Sequence, residues 1–185
     1  MSALADIGLL RLQFDRSFAE PARAAEDAED FLALSVGGDG YAVRLADVTG
    51  LHGGSALAPL PTAVPEFLGI ISLRGAVTPA WSLGALLGYG ADREVPRWMI
   101  LVGERGEGRT FALAFEGFEG HLRVPRTQVS DGAPAGSGPA VARAHVGQFV
   151  RVGDRWRGVL ALDTIARAVE RRLGLEPCQD GSKTR

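Results

Sequence analysis

Apolar positions along the chain change period more than once. Ile7, Leu10, Phe14 and Phe18 recur at spacings of three, four and four, a single stripe at helical period. They predict an amphipathic helix over 2–20, ended or interrupted by Pro21. Residues 22–30, Ala-Arg-Ala-Ala-Glu-Asp-Ala-Glu-Asp, carry no apolar stripe and read as an acidic, solvated linker or an exposed helical continuation. At Phe31 the texture becomes that of short strands. Phe31–Val36 and Tyr41–Leu45 flank Gly37-Gly38-Asp39-Gly40 and predict a β-hairpin. Ala46–Leu51 fits either one helical turn or a bent strand, and Pro59, Pro61 and Pro65 keep the next stretch extended.

Phe67–Ser72 reads as a buried strand, Arg74-Gly75 as a turn, and Ala76–Trp81 as the returning strand. Leu83–Gly88 predicts a short helical turn closed by glycine. The pattern then loosely repeats. Trp98–Val102 and Thr110–Phe115 flank a Gly/charge turn, and 121–125 is a further candidate strand. Gly132–Pro139 reads as irregular loop. Phe149–Val152 and Trp156–Leu162 form another hairpin about Gly153-Asp154. Asp163 stands at a helix N-cap position, with Ile165, Val169 and Leu173 spaced at i, i+4 and i+8 behind it. Arg171, Arg172 and Gly174 suit the end of that helix, and the tail 174–185 reads as flexible. Short strands with Gly-rich turns predict a mainly β domain over 31–173, built from two small barrels of roughly 41–90 and 96–162.

Composition narrows the function classes. With 20 Lys+Arg against 22 Asp+Glu there is no basic excess to neutralise a nucleic-acid backbone. Gly at 25 of 185 fits many tight turns. The single cysteine, Cys178, excludes an internal disulfide and a cysteine-based zinc site. No apolar run reaches the roughly 18 residues that span a bilayer, and the first residues lack the charged and apolar regions of a secretion signal. The expectation is a cytoplasmic protein without membrane insertion.

Catalytic chemistry finds little to work with. His52, His121 and His145 lack metal-ligand spacing. There is no Gly-x-Ser-x-Gly elbow and no phosphate loop, and the only lysine, Lys183, is in the tail. Gly103–Gly108 reads as a strand connection rather than a phosphate cradle. Glu116 and Glu119 fit a turn between strands better than an acid/base pair. Phe67, Trp81, Trp98, Phe111 and Trp156 lie on predicted strands, where core packing is the default. No enzyme, cofactor or metal site is expected. Such a domain works by presenting surfaces to other proteins.

Residues 64–83, Val-Pro-Glu-Phe-Leu-Gly-Ile-Ile-Ser-Leu-Arg-Gly-Ala-Val-Thr-Pro-Ala-Trp-Ser-Leu, resemble the central signature of CheW-type chemotaxis coupling proteins. Gly69, Leu73-Arg74-Gly75, Pro79 and Leu83 carry the match, and Tyr41, Leu45 and Val48 fall at the spacing expected before it. The segment 111–120 resembles the family's second-barrel strand, so the likeness spans about Phe31–Leu173. It implies two intertwined SH3-like five-stranded β-barrels. It also implies a non-catalytic adaptor in chemosensory signal transduction.

The partners so implied are the regulatory domain of a CheA-type histidine kinase, docked on one barrel, and the cytoplasmic tip of a methyl-accepting chemoreceptor, held in a groove between barrels. Through them a cytoplasmic protein would be recruited to membrane-associated arrays. Val48, Leu51, Ser72, Leu73, Arg74 and Gly75 match or adjoin the contact positions. The chain departs from the pattern at Ser72 for Asn, Ser82 for Asp, Gly50 for an acid and Glu116 for Asp. An adaptor of the same fold serving a different, non-chemotaxis partner is the alternative, with Ile7, Leu10, Phe14 and Phe18 as the helix-borne contact.

Overall fold

A computed structural model describes residues 27–54, 56–73, 75–90, 96–103, 110–131 and 140–173. The expected N-terminal helix with Ile7, Leu10, Phe14 and Phe18, the residue Arg74, the loop 132–139 and the tail 174–185 lie outside them.

The described chain is mainly β. The strands are β1 (Ala28–Val36), β2 (Asp39–Arg44), β3 (Gly50–Gly53), β4 (Leu57–Ala58), β5 (Phe67–Leu73) and β6 (Ala76–Ser82). They continue as β7 (Trp98–Val102), β8 (Phe111–Phe115), β9 (Gly117–Pro125), β10 (Val129–Ser130), β11 (Val146–Val152) and β12 (Arg155–Leu160). Helices α1 (Leu83–Leu86), α2 (Ala140–Ala144) and α3 (Leu162–Arg172) complete it, with 3-10 turns at Leu45–Asp47 and Arg126–Gln128.

Two six-stranded sheets form, one in the order β10-β11-β12-β2-β1-β9 and the other β3-β7-β8-β6-β5-β4. In each, a two-residue strand, β10 or β4, adds to the expected five. The expected division at about residue 90 is corrected by this order. The hairpin β1–β2 belongs with β9–β12, while β7 and β8 belong with β3–β6. The chain crosses between sheets after β2 and returns after β8. Hydrophobic period locates strands but does not name their partners, and the pairings β1–β9, β2–β12, β3–β7 and β6–β8 are non-local. The parallel pairs β2–β12 and β6–β8 stitch each sheet across long stretches of sequence.

The core has three parts. Phe31, Ala42, Val124, Val150 and Val159 fill the first sheet's own interior. Ile71, Ala80, Met99, Ala112 and Ala114 fill the second's. Between the sheets lies a larger cluster that includes Leu34, Tyr41, Trp81, Ile100, Leu113, Leu160 and Ile165. Inner strands are therefore buried on both faces, which is why β1 and β8 read as continuous apolar runs rather than alternating ones. On β8, Phe111, Leu113 and Phe115 point between the sheets while Ala112 and Ala114 point into the narrow barrel.

Several boundaries move for physical reasons. Residues 28–30 of the expected linker are strand, paired with β9, and Glu29 is held by Arg44 at 3.0 Å and Arg126 at 3.2 Å. Residues 117–120, expected as a turn, open β9, because pairing with Ser35, Leu34 and Ala33 outweighs their glycine content. The cap of α3 is Ala161, not Asp163; Asp163 is the second residue of the helix, where its charge suits the helix N-terminus. Trp156, expected in the core, is 44% exposed.

Candidate partner-binding surfaces

The β5–β6 hairpin carries the signature segment. It begins at the base of a cleft and ends at an exposed apex. Leu73 packs beneath, against the second sheet's interior cluster. Ser72 and Gly75 are exposed, and Gly75 takes φ +83, which glycine adopts freely. Val77, opposite Ser72, is 70% exposed. The apex thus offers an apolar side chain to solvent beside small and polar groups.

Val48 and Leu51 lie where the chain crosses from β2 to β3. Both are half-buried and pack against the cluster between the sheets. Leu45, in the same turn, is 41% exposed, and Val48 N–H donates to its carbonyl. The apolar pattern puts Leu45 at the end of a strand; its exposure comes from the 3-10 turn, which rotates it outward.

A cleft of about 370 Å³ opens between the sheets. Val36 and Gly37 line it from the first sheet, and Leu68, Ser82, Phe115 and Glu116 from the second. Tyr89 and Arg97 also face it. No motif or spacing in the sequence marks Tyr89. Its hydroxyl donates to Asp39 and meets the Tyr41 hydroxyl at 2.5 Å. Burial first, and then the Asp39 and Tyr41 contacts, hold the Tyr89 phenol far above its ordinary value, so it stays protonated. Burial likewise raises the Tyr41 phenol.

Two departures from the signature have local structural roles. Ser82 Oγ accepts from Ala85 N–H at 3.1 Å and caps α1, as an Asp would. Glu116 accepts from Gly37 N–H through both oxygens, each at 3.1 Å. Glu119 pairs instead with Arg157, whose hydrogen bond and charge lower its carboxyl below the usual range. The two acids therefore serve different partners. Among the described residues no group of His, Cys, Asp and Glu is placed to hold a metal, and no helix is long and apolar enough to cross a membrane.

The family model of the CheW-like domain matches residues 30–168. The chain belongs to the CheW-like family. It is 33% identical over 75 residues to the chemotaxis protein CheW of Rhizobium meliloti (strain 1021), a match covering 40% of this chain and 48% of that protein. The match thus spans about half the length of that curated relative. The fold is similar to that of the scaffolding protein TtCheW from Thermoanaerobacter tengcongensis, with TM-score 0.60 and 17% identity over 71% of this chain and 88% of that one.

Proposed function

We propose that this CheW-like domain is an adaptor coupling the cytoplasmic tip of a methyl-accepting chemoreceptor to the regulatory domain of a CheA-type histidine kinase. The observation that carries the reading is the placement of unsatisfied apolar surface at the two segments that match the family's contact positions. Leu45 stands exposed beside half-buried Val48 and Leu51, and Val77 stands exposed beside Ser72. Exposed apolar groups clustered in this way mark interaction sites.

The Leu45–Val48–Leu51 edge docks the kinase regulatory domain. The cleft and the Arg74 apex together take the receptor. Strand β5 runs from Leu68 in the cleft to Leu73 at the apex, so a helical hairpin laid along it touches both. Ser72, Leu73, Arg74 and Gly75 form the apex contact. The protein works in the cytoplasm, recruited to receptor arrays through these partners.

Paired substitutions test the assignment. Arg74→Glu weakens receptor binding and leaves kinase binding intact, while Val48→Glu does the reverse. Surface changes of the first kind shift stability by only about 0.5 kcal/mol, so the melting temperature of Arg74→Glu stays close to that of the parent. A pull-down from the native host that returns neither kinase nor receptor peptides refutes the reading.

A further inference from the structure

The turn joining β1 and β2 is built from Gly37 and Gly38, both at positive φ, +58 and +84. Such a Gly-Gly turn has the most conformational freedom of any backbone, and holding it still costs the most entropy. Yet three contacts fasten it to the opposite sheet. Gly37 N–H donates to both carboxylate oxygens of Glu116, at the end of β8. The Tyr89 ring, from the segment after α1, lies so close over Gly37 that a Cβ there would be 2.1 Å from its Cδ1. The Tyr89 hydroxyl donates to Asp39, the first residue of β2, and bonds the buried Tyr41 hydroxyl. Gly37, Tyr89 and Glu116 all line the cleft.

We propose that Tyr89 and Glu116 are positioning residues that clasp the β1–β2 turn into a fixed rim of the cleft and so set how well a helical partner fits there. The proposal rests on the reading of the cleft as the receptor site. The apolar cluster between the sheets already joins the two barrels, so the clasp is not needed to hold them together. What it adds is local order at the rim. A rim ordered in advance spares the partner the entropy of ordering it, and affinity rises accordingly.

The test uses the full chain, with Tyr89→Phe, Glu116→Gln and the double variant. Tyr89→Phe keeps the ring over Gly37 and removes only the hydroxyl bonds. Amide hydrogen exchange by NMR reads the rim in the free protein. Binding is measured to a cytoplasmic hairpin fragment of a methyl-accepting receptor from the same genome, and separately to the kinase regulatory domain. The Gly37 amide is protected in the parent and exchanges about 5-fold faster in each variant, the change expected from one net hydrogen bond. Affinity for the receptor fragment falls by a similar factor, and affinity for the kinase domain does not change.

Faster exchange with unchanged receptor affinity makes the clasp purely structural and overturns the proposal. So does a Gly37 amide that exchanges in the parent as fast as an open turn. If the parent binds the kinase domain but not the receptor fragment, the cleft reading itself fails, and the role in recognition falls with it. The exchange data then still decide whether the rim is fixed.

Discussion

Gly69 shows how one residue can set a crossing. Its φ is +137, and a Cβ built there would lie 2.2 Å from the carbonyl oxygen of Ala58 and 2.8 Å from Pro59 Cα. Those atoms are backbone, so they cannot swing away as a side-chain tip would. Only glycine lets β4 and the following proline pass this closely over β5. Gly69→Ala therefore combines backbone strain with a steric clash, and we expect a loss of at least about 2 kcal/mol, measured by urea denaturation. The contrast is Gly75, also at positive φ (+83) but with nothing within 4 Å of the built Cβ. Gly75→Asn, which tolerates that conformation, should leave stability within about 0.5 kcal/mol.

Helix α3 shows which forces hold an element in place. Ile165 and Val169 are buried in the cluster between the sheets, and Ile165 has no exposed surface. Arg172, at the helix end, bonds Glu66 before β5 at 2.9 Å, across the surface of the domain. The two side chains are 32% and 16% exposed, and an ion pair at the surface contributes only about 0–1 kcal/mol, whereas truncating a buried Ile costs about 2–5 kcal/mol. Ile165→Ala should thus lower the denaturation midpoint several times more than Arg172→Ala.

The same helix meets a titrating group. His145 Nδ1 lies 2.9 Å from Thr164 Oγ1, and that hydroxyl donates to Ala161 O at 2.8 Å. The imidazole nitrogen is then the donor to Thr164. Burial first, then the charges of Arg172 and Arg171, lower the His145 pKa from its ordinary value. The unfolded chain takes up this proton more readily than the folded one. Stability is therefore unaffected well above the unfolded value of about 6.5, falls as pH drops through it, and levels off below the folded value. Melting temperatures measured from pH 7.5 to 5 should decline less steeply in His145→Gln than in the parent. An equal slope in the two proteins would remove His145 as the cause.

At the scale of the whole molecule, the interlaced sheets make the two barrels one folding unit. A fragment 41–90 lacks β7 and β8, and a fragment 96–162 lacks β1 and β2. Each would leave inner strands without neighbours and would expose its half of the cluster between the sheets. Separately expressed, both fragments should remain unfolded by circular dichroism. The intact chain should unfold in a single calorimetric transition that coincides with the loss of strand signal. Two resolved transitions would mean the barrels are independent after all.

Much of the local structure was determined by the sequence alone. Alternating and continuous apolar runs placed the hairpins at 31–45 and 67–81, and the spacing of Ile165 and Val169 placed α3, because side-chain period follows directly from backbone geometry. The signature around Leu73-Arg74-Gly75 marked the hairpin apex and the family. Partnership between strands was decided only in three dimensions. Pairing β1 with β9 or β2 with β12 depends on contacts about a hundred residues apart, which leave no periodic trace. The rim of the cleft was equally hidden. Glycine at 37, tyrosine at 89 and glutamate at 116 are unremarkable in sequence and form one rim only because the interlaced sheets bring them together. Exposure followed the same rule. Trp156 and Leu45 carry apolar side chains, yet the start of β12 beside its hairpin turn and a 3-10 turn leave them facing water.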